Sequence, residues 1–183
     1  MKPHEPIEER IKMAEMHDDV LQRLETAIAE KRSIEACWLC YSCFESRITR
    51  TLEKVSECCP ERKCYQNHKV GINSRVECLK RLKKLGYAGT EHFDNQLLGQ
   101  VIAWCKERNT LVHALVTLNN YYGMDDKFLQ LAVKGKPLVE KLYSQTTDFR
   151  NKYYELTEMP EFPEQAHSKC RLLKKTNQAK EKE

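Results

Sequence analysis

The side chains with the most chemical capacity lie in one short run, ERNTLVHALV, residues 107–116. Arg108 and His113 stand five positions apart there, with Asn109 four positions before the histidine. A histidine with an ordinary pKa of about 6.5 takes and gives a proton near neutrality. An arginine stays charged and pairs bidentately with phosphate oxygens. Such a pair has the means to activate an RNA 2′-hydroxyl and to stabilise the charge that develops on phosphorus, with no metal required in principle. At about 100° per residue, Asn109 and His113 share a helix face one turn apart, while Arg108 lies about 140° from His113 and reaches that face only through its long side chain. An arc of this kind either flanks a groove or meets its own copy across a two-fold axis. The opposing reading is structural, with Arg108 neutralised by an acid such as Glu45 or Glu107 and His113 a satisfied core residue.

Apolar periodicity says which elements must carry these groups. Ile7, Ile11, Ala14, Val20, Leu21, Leu24, Ala27 and Ile28 predict a helix from Ile7 to about Lys31, with Asp18 and Asp19 as an expected irregularity. Ser33 is an expected N-cap for a second helix to about Glu57, ended by Pro60. Its wide apolar face, from Ala36 to Val55, makes it central. A third helix starts at Asn73 or Ser74, turns Val76, Leu79, Leu82 and Leu85 inward, and ends at Gly86 as a C′ residue. The fourth, from His92 or Phe93 to Leu118, carries the Arg/His motif. Its apolar residues wrap most of the circumference, as in a helix that is buried or held between its own domain and a partner. A last helical region covers residues 125–157, with KGKP at 134–137 expected as a turn or kink because Gly135 and Pro137 oppose helix. The expected architecture is all-α, an up-and-down bundle of four to five helices. It divides into an N-terminal helix at 1–32, a bundle at 33–158 and a basic, mobile tail at 159–183.

Composition agrees with one domain: 183 residues, 40% hydrophobic and 32% charged, with six glycines and six prolines. The formal charge of +4 permits nucleic-acid contact without demanding it. No stretch approaches the roughly 20 apolar residues of a membrane helix, and the N-terminus has no apolar signal core, so the expected location is the cytoplasm and no membrane partner is expected. In that compartment the nine cysteines are thiols. Cys37, Cys40 and Cys43 read as small core residues. Cys58, Cys59, Cys64 and His68 depart from the usual paired zinc spacing, so no metal site is expected. The run LKRLKKLGY offers Lys80, Arg81, Lys83 and Lys84 either as a solvated face or as a phosphate-contacting, RNA-binding stripe. Trp38, Trp104, Tyr121, Tyr122, Tyr153 and Tyr154 are available for base stacking or, more ordinarily, for a core. There is no Gly-rich phosphate loop and no nucleophile-elbow serine.

RNTLVH, Arg108 to His113, resembles the R-x4-6-H motif of HEPN domains (higher eukaryotes and prokaryotes nucleotide-binding), in which a polar residue, often Asn, follows the arginine, as Asn109 does here. The resemblance extends over roughly residues 30–157. It includes a late position for the motif helix and a polar or acidic residue on an earlier helix, for which Glu45 in CYSCFESRI is the candidate. The resemblance implies a metal-independent RNA endonuclease of toxin or antiviral (phage) defence type. Two copies of the motif would form one composite site in a homodimer, with no cofactor and with a separately encoded antitoxin or regulator as a possible partner. Arg108 would contact the scissile phosphate, His113 would act as general acid or base, and Asn109 would orient a phosphate or the imidazole. Glu45 would orient Arg108 or pair with Arg47, Arg50 or another surface cation. The alternative within the family is a non-catalytic module that binds nucleotide, RNA or a partner protein.

Overall fold

The structure is a computed structural model that describes residues 7–58, 71–87, 89–117 and 123–157. Among these are five α-helices, a single 3-10 turn and no strand: α1 (Ile7–Ala29), α2 (Ser33–Cys58), α3 (Ile72–Lys84), the 3-10 turn (Thr90–His92), α4 (Asn95–Thr117) and α5 (Met124–Thr157). The fold is an all-α helical bundle. No helix among the described residues is long and apolar enough to cross a membrane.

The longest seam runs between α2 and α5. α2 buries Ala36, Cys37, Cys40, Phe44, Ile48, Leu52 and Val55, and α5 meets it with Phe128, Leu131, Ala132, Val139, Leu142 and Phe149. α1 packs on both, with Leu24 and Ala27 fully buried in the same core. α4 covers α5 through Leu97, Leu98, Val101, Trp104 and Cys105, and α3 bridges α2 and α4 through Val76, Leu79 and Leu82.

Helix ends depart from the sequence expectations in instructive ways. α1 runs through Asp18 and Asp19 without a break. Lys31 takes a left-handed φ of 56° between α1 and α2. Ala36 N–H then donates to Arg32 O, so Ser33 is already the first helical residue. Its hydroxyl is not a cap; it donates to Asp125 Oδ1 at 2.9 Å and ties the start of α2 to the start of α5. α3 begins at Ile72, one residue early, because Ile72 is buried. It ends as expected, with Gly86 at φ 70°. Gly86 N–H donates to Lys83 O and Tyr87 N–H to Leu82 O, the paired bonds of a Schellman cap. α4 begins at Asn95 rather than His92 or Phe93, because Asp94 Oδ1 accepts the Gln96 N–H at 2.9 Å and caps it there.

The largest correction is in α5. It stays helical through KGKP, with Pro137 inside it. Gly135 is buried where a Cβ would lie 2.7 Å from Trp104 Nε1 and 3.0 Å from Cys40 Sγ, so the missing side chain is what lets α2 and α4 close on α5. Trp104 Nε1 donates to Leu131 O at 2.8 Å, and Cys37 Sγ donates to Phe128 O at 3.0 Å. Burial of the flanking apolar residues outweighs intrinsic penalties of about 1 kcal/mol for Gly and about 3 kcal/mol for Pro.

Candidate functional site

Both halves of α4 are apolar, and they have different fates. Leu97, Leu98, Val101, Trp104 and Cys105 are buried, whereas Leu111, Val112, Ala114 and Leu115 are only partly covered. Arg108 stands where the two halves meet, half-buried, with its Cζ 4.6 Å above the Tyr41 ring of α2. Stacking of this kind is worth about 0.5–1 kcal/mol at a partly exposed site and keeps the guanidinium charge available. Arg108 also donates from Nη1 to Asn109 Oδ1 at 3.2 Å, so the two motif residues are held together. His113 lies one turn beyond Asn109 and is exposed. Its backbone carbonyl accepts from Thr117 Oγ1 at 2.8 Å.

The acids are placed elsewhere. Glu45 accepts from Arg75 Nη1 of α3 at 3.3 Å, so its ion-pair partner is a cation on another helix and not Arg108. The same nitrogen donates to Thr49 Oγ1 at 2.7 Å. Glu107 pairs with Lys134 of α5 at 3.5 Å. Both acids named as possible neutralisers of Arg108 therefore have other cations as partners, and His113 is not a core residue. Tyr41, Glu45 and Thr49 fall at four-residue intervals on α2, so they form a polar stripe with Arg108 at one end and Arg75 toward the other. Burial pushes the Tyr41 hydroxyl up, with Glu45 and Cys105 adding to the rise and Arg108 and Arg75 opposing it. The five residues therefore lie near one another where α2, α3 and α4 come together.

Arg75 and Tyr41 are the residues that sequence reasoning missed. Arg75 sits among the buried positions of α3, with a side chain only 12% exposed, and the sequence offers no signal for this beyond its spacing of four before Leu79.

The basic run does not join this group. Lys80 pairs with Glu77 at 3.1 Å, and Lys83 donates to the Phe93 carbonyl at the start of the α4 connection. Arg81 and Lys84 are exposed. They lie about 120° and 180° around α3 from Arg75, on its outer side. Of the cysteines, Cys37, Cys40, Cys78 and Cys105 are buried and Cys43 is half-buried, all as free thiols. Among the described residues no three His, Cys, Asp or Glu side chains gather as a metal-ligand group. Cys59, Cys64, His68, Tyr121, Tyr122 and the basic tail from residue 159 lie outside the described residues.

In comparison with known proteins, no family model, no curated protein and no solved structure matches the chain. The functional reading therefore stands on these residues and their geometry.

Proposed function

We propose that this protein is a metal-independent RNA endonuclease of the HEPN type, acting in defence or as a toxin through Arg108, Asn109 and His113. The observation that carries the reading is the state of Arg108. It is a half-buried guanidinium held in place by Tyr41 and Asn109, with no carboxylate partner among the described residues. A cation steadied by an aromatic face and an amide, instead of an acid, is poised for an external anion. His113, exposed on the face of Asn109, is the imidazole on that surface that would act as general acid or base.

The exposed apolar residues support a site completed by a second copy. The pairs Glu45–Cys105 and Tyr41–Arg108 run antiparallel along α2 and α4. Continued one and two turns, this register brings Trp38 and Ile34, 59% and 52% exposed, level with the half-covered Leu111 and Leu115. An apolar patch beside the motif favours dimerisation, which would bring two Arg/His arcs together. A separately encoded antitoxin or regulator would be the further partner of such an enzyme.

The deciding experiment compares wild type with His113→Ala on total RNA and on defined tRNA in EDTA, after circular dichroism has shown both folded. The expected outcome is cleavage by wild type and a loss of about 10²–10⁴-fold in the variant. Binding of RNA without cleavage by either protein would replace this reading with a non-catalytic binding module.

A further inference from the structure

Cleavage of RNA at a 2′-hydroxyl moves two protons, and α4 brings one imidazole to the task. One proton leaves the attacking 2′-oxygen, and another must reach the departing 5′-oxygen. Those two oxygens stand in line on opposite sides of phosphorus, so a group placed to take the first proton is badly placed to give the second. His113 lies on the outer face of α4, about 140° around the helix from Arg108. The second proton carrier must therefore stand on the inner side of the phosphate that Arg108 holds.

Among the described residues around Arg108, few have a proton to give. Glu45 is ion-paired with Arg75, and Glu107 with Lys134. Cys105 is fully buried. The Asn109 amide is no acid, and its oxygen accepts from Arg108 Nη1. Tyr41 differs from all of these. Its ring lies under the guanidinium, with Arg108 Cζ 4.6 Å from the ring centroid, and the residue is only partly covered. The phenol oxygen is close enough to Glu45, Cys105, Arg108 and Arg75 to feel the charge of each. None of the described hydrogen bonds ends on it, so its proton is not committed to the fold. Burial raises its pKa, and the hydroxyl keeps that proton through neutrality. The leaving alkoxide is a far stronger base than a phenolate, so transfer from the phenol runs downhill.

We propose that Tyr41 is the general acid of the cleavage reaction, giving its phenolic proton to the departing 5′-oxygen while its ring seats Arg108. The assignment rests on the ribonuclease reading and adds a second proton carrier to it. His113 takes the 2′-hydroxyl proton as the 2′-oxygen bonds to phosphorus. The bond from phosphorus to the 5′-oxygen breaks, and that oxygen receives the Tyr41 proton. The products are a 2′,3′-cyclic phosphate and a 5′-hydroxyl. The imidazolium then loses its proton to solvent, and the phenolate, steadied by the charges of Arg108 and Arg75, takes one back.

The test uses the full chain in EDTA on an RNA in which one bond that wild type cuts carries either oxygen or sulfur as its 5′-bridging atom. A thiolate leaves without being protonated, so the sulfur substrate needs the base and not the acid. Tyr41→Phe keeps the ring under Arg108 and removes only the hydroxyl. Because no described hydrogen bond ends on that hydroxyl, the variant should fold, which circular dichroism checks. On the oxygen substrate Tyr41→Phe should lose about 10²-fold or more in kcat, with KM within about threefold of wild type. On the sulfur substrate it should cleave within about threefold of the wild-type rate. His113→Ala should be slow on both, since the base is needed for either. Tyr41→Phe as fast as wild type on the oxygen substrate overturns the proposal and leaves the ribonuclease reading standing. An equal loss on both substrates does the same, because it makes the hydroxyl a structural group. Wild type that cuts no RNA overturns both.

Discussion

Arg108 and Arg75 have similar chemistry and opposite situations, and a single acid makes the difference. Glu45 and Thr49 hold Arg75, whose side chain is almost buried, whereas Tyr41 and Asn109 hold Arg108 and leave its charge unneutralised. Removing the acid should therefore act on α3 before it acts on the motif. Glu45→Ala leaves a desolvated guanidinium with one hydroxyl partner and is expected to cost about 1–3 kcal/mol in denaturant unfolding. Arg75→Met added to Glu45→Ala should recover much of that loss, since an apolar group of similar length needs no partner. A Glu45→Ala effect within about 0.5 kcal/mol, the ordinary range for a surface site, would sink this assignment. The motif was legible in the sequence because its three residues are consecutive or one turn apart on one helix. The Glu45–Arg75 pair was not, because it joins positions 30 apart and depends on how α3 is turned against α2.

Elements, in turn, were legible wherever local preference and tertiary packing agree. Gly86 ends α3 because glycine takes φ 70° without strain and releases Leu82 and Lys83 carbonyls to a Schellman pair. KGKP misleads because its local preference opposes helix while its surroundings demand it: Gly135 sits under Trp104 and Cys40, with Leu131, Ala132, Val139 and Leu142 buried on either side. Two glycines then give opposite answers to one substitution. Gly99→Ala in α4 meets nothing within 4 Å, so it should stabilise by up to about 1 kcal/mol through helix propensity. Gly135→Ala gains the same propensity, but its Cβ meets the Trp104 indole at 2.7 Å, and the ring cannot retreat without loosening its bond to Leu131 O. Overpacking of this kind costs about 1–3 kcal/mol, so the net effect should be destabilising. Urea unfolding of the two variants side by side reads the sign directly, and equal stabilisation by both would show that Gly135 is not a close-approach position.

At the scale of the whole molecule, the bundle is one core, because helices from both ends of the described chain bury residues in it: Leu24 and Ala27 from α1, Leu142 and Phe149 from α5. Ion pairs decorate this core; Lys136 of α5, for instance, reaches Glu25 of α1 at 2.9 Å and Glu140 at 3.3 Å on the surface. Within the core, the thiols give global stability a pH dependence of definite sign. Burial pushes Cys37 and Cys105 up to about 12, against the pull of Arg108, and raises Cys40 further still. An unfolded chain releases these protons at the ordinary value of 9.0, while the folded chain retains them. Between pH 9 and 12 the unfolded state therefore binds fewer protons, and stability must fall as pH rises. The contribution of these thiols is whole below pH 9, and it declines by about 1.4 kcal/mol per pH unit for each thiol that stays protonated in the fold. Burial lowers the Arg47 pKa, but a guanidinium keeps its proton over this range and adds no opposing slope. With the protons of Cys37, Cys40 and Cys105 retained in the fold, the net slope should be negative from pH 9 upward. Urea midpoints measured from pH 8 to 10.5 under reducing conditions should fall over that range, and Cys105→Ser should lessen the fall, since a hydroxyl does not titrate there. A midpoint that stayed level or rose would mean that these thiols are open to solvent, and with them the packing beneath Arg108.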